Sequence, residues 1–234
     1  MDKTFKFYSQ ILDNLIDSSD FWANFFLRPY SFETLPEDCG DNLEIHCGIS
    51  RVALVADDCD EVIKFDISDA ELCQTEVNIY KAAAEEGLEQ CFTTARYIGT
   101  YIRNVYIPVV DDLEQVTYDY SGEDIDDAVR SCGHFEEGTI CLPLYAYEKV
   151  SHYIYGSTKI SEDENKFCKH TNSPLVERCS AVGIEIRRRW GDDIFWRLSD
   201  FCNAWSINDL HSGNVGWRGK DFVLMDYAGW HDEF

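Results

Sequence analysis

A short hairpin bracketed by acidic residues, in the last quarter of the sequence, constrains the fold of this chain most. Val215 to Arg218 and Asp221 to Met225 have the pattern of two short strands. They are separated by Gly219-Lys220, a pair that favours the positive φ of a tight turn. Because pairing of the two strands turns the chain back on itself, we expect Asp226 to lie beside Asn214.

The polar residues around this hairpin are those that phosphoryl transfer uses. Asp209 precedes Asn214 by five positions, and Asp226 follows the second strand. In such reactions one carboxylate orients the attacking group, while an amide oxygen and a second carboxylate hold the metal that bridges the nucleotide phosphates. The alternative is a helix, loop and hairpin with solvent-exposed acids, which would be unremarkable in a chain this acidic.

The charge of the chain excludes some partners. With 44 acidic against 20 basic residues, the formal net charge is −24. Such a chain repels nucleic-acid phosphates and anionic membranes, so we expect no direct binding to nucleic acid or membrane. A basic protein partner would be attracted, although the charge also serves solubility alone.

The cysteines indicate a reducing compartment. The ten cysteines include no C-x-x-C pair, and no apolar run approaches the roughly 20 residues of a membrane span. We therefore expect a cytoplasmic protein with reduced thiols. Cys168 with His170, and His46 with Cys47, lack a second pair at metal-site spacing, which argues against a structural metal.

The order of helix and strand patterns predicts an α+β fold. Helices are expected first, over 4–28 with a second helix at Phe21 to Leu27, and strands begin at Leu43. A helix from Asp69 to Gly87 has Ser68 or Asp69 as its candidate N-cap. Residues 111–138 are an acid-rich insert with one short helix near 124–130, and 156–174 are predicted to be a loop. The remaining predicted strands are 43–47, 51–56, 61–65, 91–110 and 139–150, and the remaining helices are 175–190 and 193–205.

A lysine lies inside one of the apolar strands. Lys64 follows Val62-Ile63 and has to find an anionic partner if the strand is buried. On an edge strand facing water it would be unremarkable, and periodicity alone favours that interpretation. Glu76, which shares a helix face with apolar residues, is the candidate partner, and Glu71 competes with it.

Three of these segments resemble motifs of one family. Asp209-Leu-His-Ser-Gly-Asn214 resembles the D-L-H-x-x-N catalytic loop of aminoglycoside-phosphotransferase-like and other atypical kinases. Asp226-Tyr-Ala-Gly229 is similar to the metal-binding D-F-G, and Val62-Ile-Lys64 to the V-A-I-K strand, with Glu76 as its helix partner. Small kinase-like proteins of bacteriophages, including podophage early-gene protein kinases, are similar over roughly residues 43–229.

The resemblance implies a protein-kinase-like, two-lobed α+β fold. Residues 1–42 would be an N-terminal helical extension. Residues 43–150 would form an N-lobe with an antiparallel sheet, one helix and the acidic insert near 111–138. Residues 151–234 would form a reduced, mainly helical C-lobe, because only five residues follow Gly229 and leave no room for an activation segment.

The resemblance also implies a role for each site residue. Asp209 would orient the acceptor hydroxyl and accept its proton, and Asn214 with Asp226 would hold Mg²⁺. Lys64 would contact the α- and β-phosphates of ATP and pair with Glu76. The remaining nucleotide-binding positions would be Gly48 and Ser50 of a reduced glycine-rich loop, His211, and the backbone of an interlobe hinge at Glu148, Lys149 and Val150.

The function expected from this resemblance is that of a minimal ATP-dependent kinase. Its acceptor would be a protein serine or threonine, its own chain or another hydroxyl, in the cytoplasm of a bacterium or an infected host cell. The departures from the family pattern, Ile207-Asn208 in place of H-R and D-Y-A-G in place of D-F-G, leave an alternative open. That alternative is a catalytically inactive pseudokinase or acidic decoy that binds and inhibits a basic host partner.

Overall fold

The chain forms an α+β structure that divides into two compact units. The computed structural model describes residues 2–16, 42–47, 51–66, 71–104, 135–136, 138–152, 161–177 and 180–228. The first unit comprises the described parts of Met1–Gln74 and Arg96–Lys149, and the second those of Thr75–Ala95 and Val150–Phe234. The helices are α1 (Lys3–Leu15), α2 (Leu72–Glu85), α3 (Glu162–His170), α4 (Pro174–Glu177) and α5 (Ser180–Ala204). The strands are β1 (Leu43–Cys47), β2 (Arg51–Ala56), β3 (Glu61–Asp66), β4 (Ala95–Asn104), β5 (Phe135–Glu136), β6 (Thr139–Glu148), β7 (Ser151–His152), β8 (Val215–Arg218) and β9 (Asp221–Leu224).

A mainly antiparallel sheet is the centre of the first unit. Its strand order is β1-β2-β3-β6-β4, and β5 pairs with β6. Lys64 lies opposite Ala53 on one side and Tyr145 on the other, so β3 is an interior strand. The interpretation of Lys64 as a residue of an edge strand is therefore wrong, because β6, distant in sequence, covers the second side of β3.

Helix α1 packs its apolar stripe on one face of this sheet. Asp2 caps its first turn by accepting the N–H groups of Thr4 and Phe5. Tyr8 is fully buried, donates its hydroxyl proton to the Glu61 carbonyl at 2.7 Å and accepts the Ala56 N–H at 3.2 Å. The first-unit core therefore joins α1 to β2, β3 and β6.

Glycine is required where α1 meets β4. Gly99 has φ 146°, and a Cβ built there would lie 2.9 Å from the ring of Phe5. An L side chain at this position would strain the backbone and push Phe5 away. The strand predicted over 91–110 begins later in the structure, at Ala95, because Glu89–Cys91 forms a 3-10 turn before β4, and residues 105–110 lie outside the described residues.

Helix α2 begins later than predicted. Glu71 has φ 45°, outside the helical region, so the helix starts at Leu72 rather than at Asp69. The buried Asp66 carboxylate accepts the Cys73 N–H with both oxygens at 3.2 Å, as a cap would. The predicted caps, Ser68 and Asp69, lie outside the described residues. Gly87, with φ 65°, follows the end of the helix as predicted.

Helix α3 corrects the prediction of a loop over 156–174. Ser161 and Glu164 form a capping box, in which each side chain accepts the other residue's N–H. Phe167 packs edge-to-face on the buried Phe195, with ring centroids 5.2 Å apart. The local capping box and this longer-range ring contact stabilise a helix in a segment whose composition is mostly polar.

The long helix α5 contains the break that the sequence predicted. Gly191 has φ 82° and ψ 171°, which divides α5 into two helical segments. The helix predicted at Phe21 to Leu27 and the one near 124–130 lie outside the described residues, as does most of the acidic insert. No helix in the described part of the chain is both long enough and apolar enough to cross a membrane.

Candidate functional site

The hairpin predicted from the sequence forms in the second unit. Strands β8 and β9 pair antiparallel from Val215 opposite Leu224 to Arg218 opposite Asp221. Gly219 has φ 62°, as the first position of a two-residue hairpin loop requires. Val215, Phe222, Val223 and Leu224 are at most 1% exposed, so β9 is buried on both of its faces.

The ladder continues one step beyond the hairpin, to the candidate site. The Met225 N–H donates to the Asn214 carbonyl at 3.0 Å. This bond brings the backbone before Asp226 next to Asn214, which agrees with the arrangement expected from the spacing. The side chains of Asn214 and Asp226 are both half-buried.

The loop before the hairpin is closed by its own side chains. The Asn214 Nδ2 donates to the Asp209 carbonyl at 2.7 Å and lies 3.3 Å from Asp209 Oδ2. Leu210, which follows Asp209 in the sequence, is fully buried and anchors the loop to the core. The Asp209 side chain keeps 33% of its surface exposed, so a bound molecule can reach it.

His211 turns both ring nitrogens towards the same loop. Its Nδ1 accepts the Gly213 N–H at 3.0 Å, and its Nε2 lies 3.7 Å from Asp209 Oδ1. The sequence resemblance assigned His211 to nucleotide binding. In the structure its described contacts are with the loop itself.

Glu76 holds the segment that follows β9. Its carboxylate is fully buried and accepts the N–H groups of Tyr227 at 2.9 Å and Ala228 at 3.4 Å. A carboxylate that accepts two N–H groups satisfies part of its hydrogen-bonding capacity without water. Glu76 therefore fixes the backbone immediately after Asp226.

Tyr227 adds a second anchor for the same segment. Its ring is 1% exposed and packs edge-to-face on Phe92, and its hydroxyl donates to the Thr93 carbonyl at 2.9 Å. Burial, followed by the nearby charge of Glu76, raises the Tyr227 pKa well above its ordinary value. The hydroxyl therefore stays protonated, and remains a hydrogen-bond donor, at neutral pH.

The 89–93 segment ties α2 to the hairpin. The Thr93 N–H donates to the Leu224 carbonyl at 2.8 Å. Arg218 donates to the carbonyl of Phe92 at 2.6 Å and to that of Gln90 at 3.3 Å. The contacts of Tyr227, Thr93 and Arg218 could not be predicted from the sequence, because no local pattern relates residues more than 120 positions apart.

Lys64 lies in the first unit, on the sheet face opposite α1. Its Nζ is 4.4 Å from the centroid of the buried Tyr147 ring, a cation–π contact. The side chain is half-buried. Pairing of Lys64 with Glu76 stays a prediction, and so does the competing role of Glu71, which is exposed before the first turn of α2.

The predicted adenine-binding hinge has one donor already engaged. The Lys149 N–H donates to the Asp60 carbonyl at 3.2 Å, and its Nζ donates to the Ala56 carbonyl at 3.0 Å. An adenine contact through the Lys149 N–H would have to break that bond. Glu148 and Val150 stay predictions, and Gly48 and Ser50 lie outside the described residues.

The side chains of Asn214 and Asp226 carry oxygen donors of the kind that Mg²⁺ binds. No cluster of three or more His, Cys, Asp or Glu side chains that could hold a metal is found among the residues described. Asn214 and Asp226 supply an amide oxygen and a carboxylate. Mg²⁺ commonly takes one or two such protein ligands and completes its octahedron with water and phosphate oxygens.

Asp209 and Asn214 therefore share one hydrogen-bonded loop, and the backbone before Asp226 lies beside that loop. Neither the family models nor the curated proteins searched contain a match to this chain.

Proposed function

We propose that this protein is an ATP-dependent phosphotransferase. It transfers the γ-phosphate of ATP to a hydroxyl group, on a protein or a small molecule, with Mg²⁺ as its cofactor and the cytoplasm as its site of action. The observation that carries the proposal is the hairpin register, which returns the backbone before Asp226 to Asn214 while the Asn214 amide bonds Asp209.

Asn214 connects the two halves of the proposed site. Its Nδ2 is engaged by Asp209, so its other polar atom, Oδ1, is the one that can bind a cation. Asp226 supplies the charged ligand for the same cation. Mg²⁺, when bound, would neutralise charge on the phosphate oxygens.

Asp209 has the features of an orienting carboxylate. It is partly exposed, and its main-chain carbonyl is fixed by Asn214. A carboxylate held in this way can accept a hydrogen bond from an acceptor hydroxyl and take its proton as the new bond forms.

Glu76 keeps Asp226 in place by accepting the N–H groups of the two residues that follow it. The Tyr227 hydroxyl fixes the same segment by donating to the Thr93 carbonyl. Binding and orientation by preformed hydrogen bonds lower the cost of organising the site during the reaction. The proposed role of Lys64, contact with the α- and β-phosphates, comes from the sequence resemblance.

The proposal is tested by two measurements on the full chain. Transfer of labelled γ-phosphate from ATP to a cell lysate, to the protein itself and to small hydroxyl compounds measures the reaction. Thermal unfolding with and without Mg²⁺–ATP measures binding, and about 2.7 kcal/mol of stabilisation is expected at a hundredfold excess over Kd.

Lys64→Ala should abolish transfer with little change in the melting temperature, while Glu76→Gln should reduce transfer less. If Glu71→Gln proves more damaging than Glu76→Gln, Glu71 is the partner of Lys64.

The net charge of −24 favours a second candidate function. A pseudokinase or acidic decoy would bind a basic host protein by charge complementarity and would not need Asp209. Binding of Mg²⁺–ATP without transfer to any acceptor would indicate a pseudokinase. Capture of a basic partner that is lost when 111–138 are deleted, but kept in Asp209→Asn, would indicate the decoy.

A further inference from the structure

The ring of His211 is held in one orientation by the loop it belongs to. His211 has extended backbone, φ −119° and ψ 173°, and precedes the 3-10 turn Ser212–Asn214. Its Nδ1 accepts the Gly213 N–H at 3.0 Å, and its carbonyl accepts the Asn214 N–H at 3.0 Å. Because Nδ1 is an acceptor, the proton of the neutral ring is assigned to Nε2 from the hydrogen-bond network.

This tautomer directs an N–H group at Asp209. Nε2 lies 3.7 Å from Asp209 Oδ1, while Asn214 Nδ2 lies 3.3 Å from Asp209 Oδ2. Each oxygen of the carboxylate thus faces a donor from the same loop. The 3.7 Å separation is longer than a hydrogen bond, and such contacts at reactive groups often shorten when the substrate binds.

Gly213 is the residue that permits this ring position. A Cβ built on Gly213 would lie 2.8 Å from His211 Cε1 and 3.0 Å from Nδ1. The ring is the far end of a side chain that is 52% exposed, so it can move away when a methyl group is added. Gly213→Ala therefore displaces the ring without altering His211 itself.

We infer that His211 is a positioning residue for Asp209, which fixes the carboxylate through Nε2–H while Gly213 fixes the ring through Nδ1. The inference rests on the proposed function and differs from the nucleotide contact that the sequence resemblance implies. A residue that positions Asp209 affects the rate of transfer, whereas a nucleotide contact affects the KM for ATP.

Two substitutions of His211 distinguish the role of Nε2 from that of Nδ1. Glutamine at 211 can place an amide N–H near the position of Nε2, and asparagine can place an acceptor near the position of Nδ1. His211→Asn and His211→Ala should lower kcat by about 10- to 100-fold with an unchanged KM for ATP, because a misplaced reacting group has an effect of this order. His211→Gln should retain more activity than His211→Asn. If asparagine rescues better than glutamine, or if only the KM for ATP changes, the inference is wrong.

Gly213→Ala provides the matched control. In the wild-type background it should lower kcat, and in the His211→Ala background it should have no further effect, because the two changes act through the same ring. Additive effects of the two substitutions would overturn the inference. Thermal melts of each variant check that the fold is retained.

A measurement that does not depend on activity separates this inference from the proposed function. Long-range ¹H–¹⁵N NMR of the full chain at about pH 8, above the ordinary histidine pKa of about 6.5, reports which ring nitrogen carries the proton. We expect protonated Nε2 for His211, and a shift of its signal in Asp209→Asn. Protonated Nδ1, or a signal that ignores Asp209→Asn, would overturn the inference even in an active protein. Absence of phosphotransfer with the expected NMR result would count against the proposed function alone.

Discussion

Two buried carboxylates, one in each unit, bind backbone amides over very different distances along the chain. Asp66, 5% exposed, accepts the N–H of Cys73, seven residues away. Glu76, fully buried, accepts the N–H groups of Tyr227 and Ala228, 151 and 152 residues away. The first carboxylate helps to determine where a helix begins. The second holds the backbone that follows Asp226, so a buried carboxylate that accepts backbone N–H groups serves a local fold in one case and a candidate site in the other.

The candidate site itself divides in the same way. Asp209 and Asn214 interact within one loop, five residues apart. Asp226 depends on the hairpin and on Glu76 for its place. The local half and the long-range half can therefore be disabled separately.

The largest effect is expected in the local half. Asp209→Asn should reduce phosphotransfer by about 10²–10⁴-fold, because the orienting carboxylate is lost, and should leave Mg²⁺–ATP affinity near that of the wild type. Labelled-phosphate transfer and calorimetric titration give the two numbers. A large loss of nucleotide affinity would show that Asp209 belongs to the binding half instead.

Asp226→Asn should affect the other half. Removing a hydrogen-bond partner behind a metal ligand typically weakens metal binding by about 10–100-fold, so loss of the ligand charge itself should weaken Mg²⁺–ATP binding at least as much. Titration at several Mg²⁺ concentrations measures this effect. If affinity for ATP falls equally in the absence of Mg²⁺, Asp226 does not act through the metal.

The matched pair Glu76→Ala and Asp66→Ala tests the comparison directly. Glu76→Ala leaves the Tyr227 and Ala228 N–H groups without this acceptor and should lower the free energy of unfolding by about 1–3 kcal/mol. Asp66→Ala removes a helix cap and should lower it by about 1 kcal/mol. Both are measured by urea unfolding. Only the Glu76 variant should also weaken Mg²⁺–ATP binding, and an equal effect of the two on binding would remove the distinction between them.

The smallest effect concerns a local carboxylate on the surface. The Ser161 N–H, and then Arg188, lower the pKa of Glu164 to about 2. Because the folded pKa lies below the unfolded value, this stabilisation is complete above about pH 4.5 and is lost as the pH falls towards 2. Glu164→Gln should therefore lower the free energy of unfolding at pH 7 by about 1 kcal/mol or less, and the difference from wild type should shrink in acid. Urea unfolding at neutral pH and at about pH 3 measures both; a constant difference would contradict the assignment.

The local half of the site could be predicted from the sequence. The pair Gly219-Lys220 between two alternating segments specified the hairpin, and the spacing of Asn214 and Asp226 followed from its register. The break at Gly191 could also be predicted from local sequence, because glycine marks a helix end by its own backbone preference.

The long-range half could not be predicted in this way. The N–H partners of Glu76 and the carbonyl partners of Arg218 are set by tertiary packing, which no local periodicity encodes. Helix α3 is a different case, since the Ser161-x-x-Glu164 capping signal was present in the sequence but was outweighed by the polar composition around it.

The discontinuity of the second unit has a consequence for synthesis. Residues 75–95 leave the ribosome long before the hairpin that Arg218 and Thr93 join to them. The sheet of the first unit closes once β6 has emerged, whereas the N–H groups of Tyr227 and Ala228 that Glu76 accepts follow β9 and emerge later. Because domains fold as units during translation and distant contacts form slowly, we expect the contacts that complete the candidate site to form after the sheet of the first unit.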